Sequence, residues 1–208
     1  MIRETKAAEP TAATTRLDGG HPALELVNTI WGQVGGPVEH DVLATPEDLV
    51  TLARRLRLVA AATPAAYRAL DEARDLRAAL DAVLRARIER REPPPEPLAT
   101  LTRHIRAAID AARLAPAGEA LRWSWDPGDT HTPVHRFAYA ALELLTDEAE
   151  LARLHQCQAC CWLFVDHSRG AGRRWCSMAY CGGDAKKRRY VEHRRERRRQ
   201  LNPDRRDP

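Results

Sequence analysis

Five cysteines, Cys157, Cys160, Cys161, Cys176 and Cys181, fall within 25 residues of a 208-residue chain that has none in its first 156 positions. Their spacing restricts what the last quarter of the chain can become. Cys157-x2-Cys160 and Cys176-x4-Cys181 are two chelating pairs separated by 15 residues, an insert of hairpin length. Such pairs set four thiolates at the corners of a tetrahedron, the arrangement of a closed structural zinc site. Cys157-x2-Cys160 alone could be a redox pair, but the second pair points to metal. Cys161 could replace Cys160; the x2 spacing forms the usual knuckle, which leaves Cys161 as a small packing residue. His155, His167 and His193 are alternative donors, although four cysteines already fill the shell. A filled shell has no position for an activated water, and the chain has no His-x-Glu. One structural zinc ion and no catalytic residue are expected.

Between the pairs, Trp162 to Val165 reads as a strand, Asp166 to Gly172 as a turn and Arg173 to Trp175 as a returning strand. Trp162, Phe164 and Trp175 would form a small core, with Asp166 and Ser168 stabilising the turn. So few large apolar groups cannot offset chain entropy alone, whereas structural zinc contributes about 10–16 kcal/mol of apparent binding free energy.

Charge follows the same division. The whole chain carries 33 Lys+Arg against 29 Asp+Glu, yet from Cys157 onward there are 14 against 6, a net of +8, and the preceding part is −4. The run Lys186-Lys187-Arg188-Arg189-Tyr190-Val191-Glu192-His193-Arg194-Arg195-Glu196-Arg197-Arg198-Arg199 has no apolar stripe to hold a helix against a body. Glu192 with Arg195 and Glu196 with Arg199 would support the helix, and the other arginines repel one another unless an anion screens them. Lys186, Lys187, Arg188, Arg189, Arg194, Arg195, Arg197 and Arg198 are therefore candidate phosphate contacts, with Arg173 and Arg174 extending the surface. DNA is the expected partner. RNA and an acidic protein partner for a purely structural finger are the alternatives.

The upstream part reads as a helical body. Thr45-Pro46-Glu47-Asp48 opens one helix by capping and charge, with Leu49, Leu52, Leu56 and Val59 facing a core. Thr63-Pro64 opens a long second helix to about Arg90, ended by the prolines from Pro93 to Pro97. Leu98, Leu101, Ile105, Ile109 and Ala112 mark a third, Leu121 to Trp125 a short strand, and Thr132-Pro133 the start of a helix carrying Phe137, Ala141 and Leu145. The expected fold is mainly α (α+β): a flexible tail over 1–16, a helical domain with a small β element over 17–150, a zinc-stapled β-hairpin with a basic helix over 151–200, and a tail over 201–208. No apolar run is long enough to span a bilayer and no signal sequence opens the chain, which implies the cytoplasm, and the nucleoid if DNA is bound. Phosphate-loop, serine-elbow and His-Glu-x-x-His motifs are absent from the sequence. Asn28 and Thr29, polar amid apolar neighbours, are candidate ligand contacts or a pair satisfying local backbone groups.

Cys157-Gln158-Ala159-Cys160-Cys161-Trp162-Leu163-Phe164-Val165-Asp166-His167-Ser168, with Arg173-Arg174-Trp175-Cys176-Ser177-Met178 and Cys181-Gly182, resembles the CGNR zinc finger. Leu24-Glu25-Leu26-Val27-Asn28-Thr29 is similar to the Leu-Asp-Phe-Val-Asn-Thr signature of the ABATE domain, which commonly precedes that finger. The resemblance covers most of the chain. It implies a bacterial protein of a group described as stress-induced transcription regulators, with a finger proposed to bind DNA and an N-terminal domain suspected of sensing a small molecule. Cys181-Gly182-Gly183-Asp184 stands where that family has Cys-Gly-Asn-Arg. The change replaces a cation by a carboxylate suited to a helix N-cap, so phosphate binding would fall to Lys186 through Arg199.

Overall fold

The computed structural model describes residues 9–170 and 172–201, with side chains through Arg197. A short helix Pro22–Val27 (α1) leads into the hairpin Ile30–Gly32 (β1) and Val38–Asp41 (β2). Thr45 then starts the helix Pro46–Arg55 (α2) through a reciprocal cap. Its N–H donates to Asp48 Oδ2 at 2.8 Å, and its Oγ1 accepts from the Asp48 N–H at 3.3 Å. Leu49 and Leu52 are buried beneath it.

The long helix begins later than Thr63-Pro64 suggests, running over Tyr67–Ile88 (α3) with Ala66 at its cap. The Thr63 carbonyl instead accepts from Arg54 Nη2 at 3.2 Å, so this turn is fastened to α2. The helix Pro95–Asp110 (α4) buries Leu101, His104 and Ala108, while Leu98 stays exposed. His104 lies 3.0 Å from Asp75 of α3, locking that register.

The expected strand near Leu121 is Ala120–Ser124 (β4). It pairs with Arg113–Ala117 (β3), a strand whose Ala and Pro content hides it, with Leu114 opposite Trp123. Trp125 follows, buried, its Nε1 donating to the Ala108 carbonyl at 2.8 Å. The helix Thr132–Thr146 (α5) packs against α1, α3 and α4 and buries Phe137, Ala141 and Leu144. The short helix Glu148–Ala152 (α6) leads out of the body.

The strand pairing in the cysteine region differs from the sequence expectation. Leu163–Val165 (β6) pairs with Leu154–Gln156 (β5), with Leu154 opposite Val165, and Arg173 to Trp175 is not a strand. The other edge of β6 is already occupied. Asn28 Nδ2 donates to the Leu163 carbonyl and Asn28 Oδ1 accepts the Leu163 N–H, each at 2.9 Å; the Val165 N–H donates to the Gly19 carbonyl at 2.9 Å. Leu154, Leu163 and Val165 share one core with Leu24, Leu80 and Leu144. The last described elements are a π turn at Met178–Gly182 and the helix Gly183–Leu201 (α7).

The expected N-terminal tail needs a correction over its second half. Ala12 and Thr15 are buried, and their carbonyls accept from Arg55 at 2.7 and 2.8 Å. Residues 1–8 and 202–208 lie outside the described residues. Among the described residues no helix is long and apolar enough to cross a membrane.

Asn28→Ala would leave the Leu163 N–H and carbonyl unpaired in the core, at about 1–3 kcal/mol for each group. The expected result is a fall in Tm on the order of 5–15 °C. Body and finger should unfold in one shared transition, measured by circular dichroism alongside Trp fluorescence.

Candidate metal centre

Cys157 leaves β5 with its N–H bonded to the Trp162 carbonyl at 2.9 Å, which closes the loop holding Cys160. The Ala159 N–H is directed at Cys157 Sγ at 3.5 Å. Cys176 and Cys181 approach from the other side, Cys181 within the π turn, where the Gly182 N–H reaches back five residues to the Ser177 carbonyl at 2.9 Å. Gly182 is buried here, and a Cβ on it would lie 2.8 Å from Met178 Sδ, the end of an exposed side chain that can move aside.

The four sulfurs of Cys157, Cys160, Cys176 and Cys181 all lie within 4.8 Å of one another. Cys160 to Cys176, Cys176 to Cys181 and Cys181 to Cys160 measure 3.6, 3.6 and 3.7 Å. A tetrahedral Zn–S bond of about 2.3 Å requires sulfurs about 3.8 Å apart, so the donor set fits one zinc ion in a closed structural site. Without a cation the sulfurs compete for protons. The neighbouring Cys160 and Cys176 thiols hold Cys157 far below its ordinary range, and contact with Cys157 pushes Cys160 and Cys176 up. A dication would remove that conflict.

Cys161 belongs to the packing. Its Sγ donates to the Ile30 carbonyl at 3.4 Å, its N–H to the Gly32 carbonyl at 3.0 Å, and its carbonyl accepts from Arg85 at 2.7 Å. Nor do the three histidines join the sulfurs. His155 packs on Phe164, His167 contacts Glu150 at 3.0 Å and His193 contacts Glu196 at 3.8 Å.

The polar residues read as surface or ligand groups divide differently. Arg173 is spent internally: Nε donates to the Trp175 carbonyl at 2.8 Å, and Nη2 to the carbonyls of Cys176 and Asp18, with the guanidinium 4.6 Å over Phe164. Arg174 stays exposed, stacked 4.6 Å from Trp175. Asp166 is fully buried and accepts from the Ser168 and Arg173 N–H groups at 2.9 Å, and bonds from Ser168 and Arg173 hold its carboxyl down to about 2. Asn28 clamps β6. Thr29 donates to the Leu26 carbonyl at 2.7 Å and accepts from Arg77, which also grips Asp41 through two 2.7 Å bonds.

Two further residues matter whose roles the sequence does not single out. Arg16 lies 5.1, 4.5 and 4.4 Å from the ring centres of Trp31, Trp162 and Tyr180, pinning the N-terminal segment to both body and π turn. Glu25 Oε1 accepts from the Gly19 and Gly20 N–H groups at 2.9 and 3.3 Å, shaping the loop that pairs with Val165, while its Oε2 is buried without a partner. Burial pushes the Glu25 carboxyl up to about 7.

Gly183–Leu201 continues directly from the π turn, so Asp184 lies in the first helical turn rather than at an N-cap, 3.7 Å from Lys187. From Lys186 to Arg197 every side chain is exposed. Among the described side chains the ion pairs on α7 are Lys187–Asp184 and His193–Glu196. Lys186, Arg188, Arg189, Arg194, Arg195 and Arg197 thus have no carboxylate partner there. The side chain of Arg198 lies outside the described residues.

Fold and site together define a helical body joined to a four-cysteine zinc finger with a basic terminal helix. Residues 20–148 match the ABATE family, described as "Putative stress-induced transcription regulator", and residues 153–198 match the CGNR zinc finger. The chain belongs to the ABATE family and carries its finger at the C-terminal end. No curated protein matches the chain.

Cys176→Ser should abolish zinc retention, whereas Cys161→Ser should keep one zinc per chain; elemental analysis of the purified variants reads both. Glu25 gives a pH signature. A carboxyl raised in the folded state contributes stability below its unfolded value near 4.5 that is lost as pH rises through about 7. Relative to Glu25→Gln, the natural protein should lose about 3 kcal/mol between pH 4 and 7.5 in chemical denaturation, with little further change at higher pH. A pH-independent difference would contradict the assignment.

Proposed function

We propose that the protein is a non-enzymatic, zinc-stabilised DNA-binding regulator in which α7 and Arg174 supply the phosphate contacts. The observation that carries this reading is the continuity of the π turn holding Cys181 with a helix of unpaired exposed cations. A metal ligand within one turn of the helix start fixes where the cationic rod leaves the protein. Four thiolates on one dication subtract two charges, which leaves the +8 segment at about +6. No apolar stripe explains the rod as packing, and counterion release on a polyanion gives it a use. The regulator description of the family and its zinc finger support nucleic acid as the partner; neither family is enzymatic.

Arg173 is left out of the contact surface, since its donors serve three backbone carbonyls. Asp184 adds a carboxylate at the start of the helix and draws Lys187 toward itself. The contacts therefore centre on Arg188, Arg189, Arg194, Arg195 and Arg197. About five of them would give a slope of log K against log salt near −4.5.

Replacing Arg188, Arg189, Arg194 and Arg195 with Ala should flatten that slope to about −1 while zinc content is unchanged, measured by fluorescence anisotropy with unrelated DNA duplexes. Zinc-loaded protein that binds no duplex at low salt would remove the reading. Preference for single-stranded RNA or an acidic polypeptide of equal charge would redirect it.

A further inference from the structure

We propose that the cleft between the β3–β4 ribbon and α5 is a binding site for a small organic anion, a carboxylate carried on a flat apolar body. Two neighbouring cavities of about 530 and 340 Å³ lie there, and both are lined by Leu58, Trp123 and Arg136. Together they fall within the size range of small-molecule pockets. Leu114, Leu121 and Trp123 are 56, 63 and 37% exposed, and all three line the larger cavity. The apolar surface left uncovered by the ribbon is gathered in one concave place rather than scattered.

Charge specifies the ligand. The Arg136 guanidinium is stacked 4.8 Å from the Trp125 ring, and Trp125 is itself held by its bond to Ala108 and by Tyr139 at 5.2 Å. The guanidinium is therefore set in place before any ligand arrives. Its Nε is buried with no hydrogen-bond partner, and among the described residues no carboxylate lies within ion-pair distance. Burial, the largest influence, pushes its pKa below the ordinary value, against Glu143, whose side chain lines the same larger cavity without forming an ion pair with it. A half-buried guanidinium with no ion-pair partner is costly, and a carboxylate bonded to it offsets that cost through charge-assisted bonds. The indole of Trp123, with Leu114 and Leu121, suits a flat apolar body one or two rings wide.

Pro22, the first residue of α1, lines the same cavity, and Asn28 at the end of α1 grips β6. A ligand seated there touches the helix that holds the finger. Its use as an input to DNA binding rests on the regulator reading; the binding site itself does not.

The test uses full-length zinc-loaded protein without DNA, so that failure of the DNA reading leaves it unaffected. 2-Naphthoate and its neutral isostere 2-naphthamide are titrated by isothermal calorimetry and by Trp fluorescence. The expected result is one saturable naphthoate site per chain, with naphthamide at least tenfold weaker. Arg136→Gln should erase that preference while keeping the amide affinity and the helical content. No saturable naphthoate binding at millimolar concentration, equal affinities in the natural protein, or a preference that survives Arg136→Gln would overturn the proposal. Self-association by sedimentation that Leu121→Asp abolishes would overturn it too, by making this face a contact between copies.

Discussion

The Asn28 carboxamide lies against the backbone of Leu163 as a short strand would, donating once and accepting once. A three-residue strand such as β6 has too few ladder bonds to hold its own place, and β5 supplies only one edge. Asn28 and the Gly19 carbonyl supply the other. This lets a segment 135 residues away in sequence bury Leu163 and Val165 in the helical core. A small metal site is thereby joined to a large apolar core instead of hanging from it by a linker.

The rest of the finger follows from that attachment. With β6 fixed, Trp162 reaches the Ile30 carbonyl and packs edge-on against Trp31 at 4.8 Å. Cys161 is drawn toward β1, which leaves Cys160 facing Cys176 and Cys181. Arg173 and buried Asp166 then tie the returning segment, so the second cysteine pair comes back to the first without needing a β-strand. Arg16, between three rings, closes the arrangement from the N-terminal side. The four sulfurs sit where body, knuckle and π turn converge, and α7 leaves from that point.

Local chemistry was legible in the sequence and distant pairing was not. The cysteine ligands were readable because chelation depends on spacing within a few residues, as was the Thr45–Asp48 cap, whose partners are three residues apart. Asn28 stood out as a polar residue among apolar neighbours, but its partner lies on the far side of the chain, so the ligand reading and the structural reading looked alike. Arg173 and Arg174 are indistinguishable as letters. Only the positions of three carbonyls make the first internal and leave the second exposed. The run from Trp162 to Val165 forms a strand over Leu163–Val165, yet its letters do not say which neighbour takes its edge. The Ala and Pro content concealed β3 altogether, and with it the cleft that holds Arg136.

If the finger is sewn into the body as described, the metal should stabilise more than its own loop. Amide hydrogen exchange with and without a zinc chelator tests this most directly. The account predicts that removing zinc raises exchange across residues 154–182 and also in α1 and the β1–β2 hairpin, which contact the finger through Asn28, Ile30 and Gly32. Exchange that rises only after residue 154, with α1 and the hairpin unchanged, would contradict it.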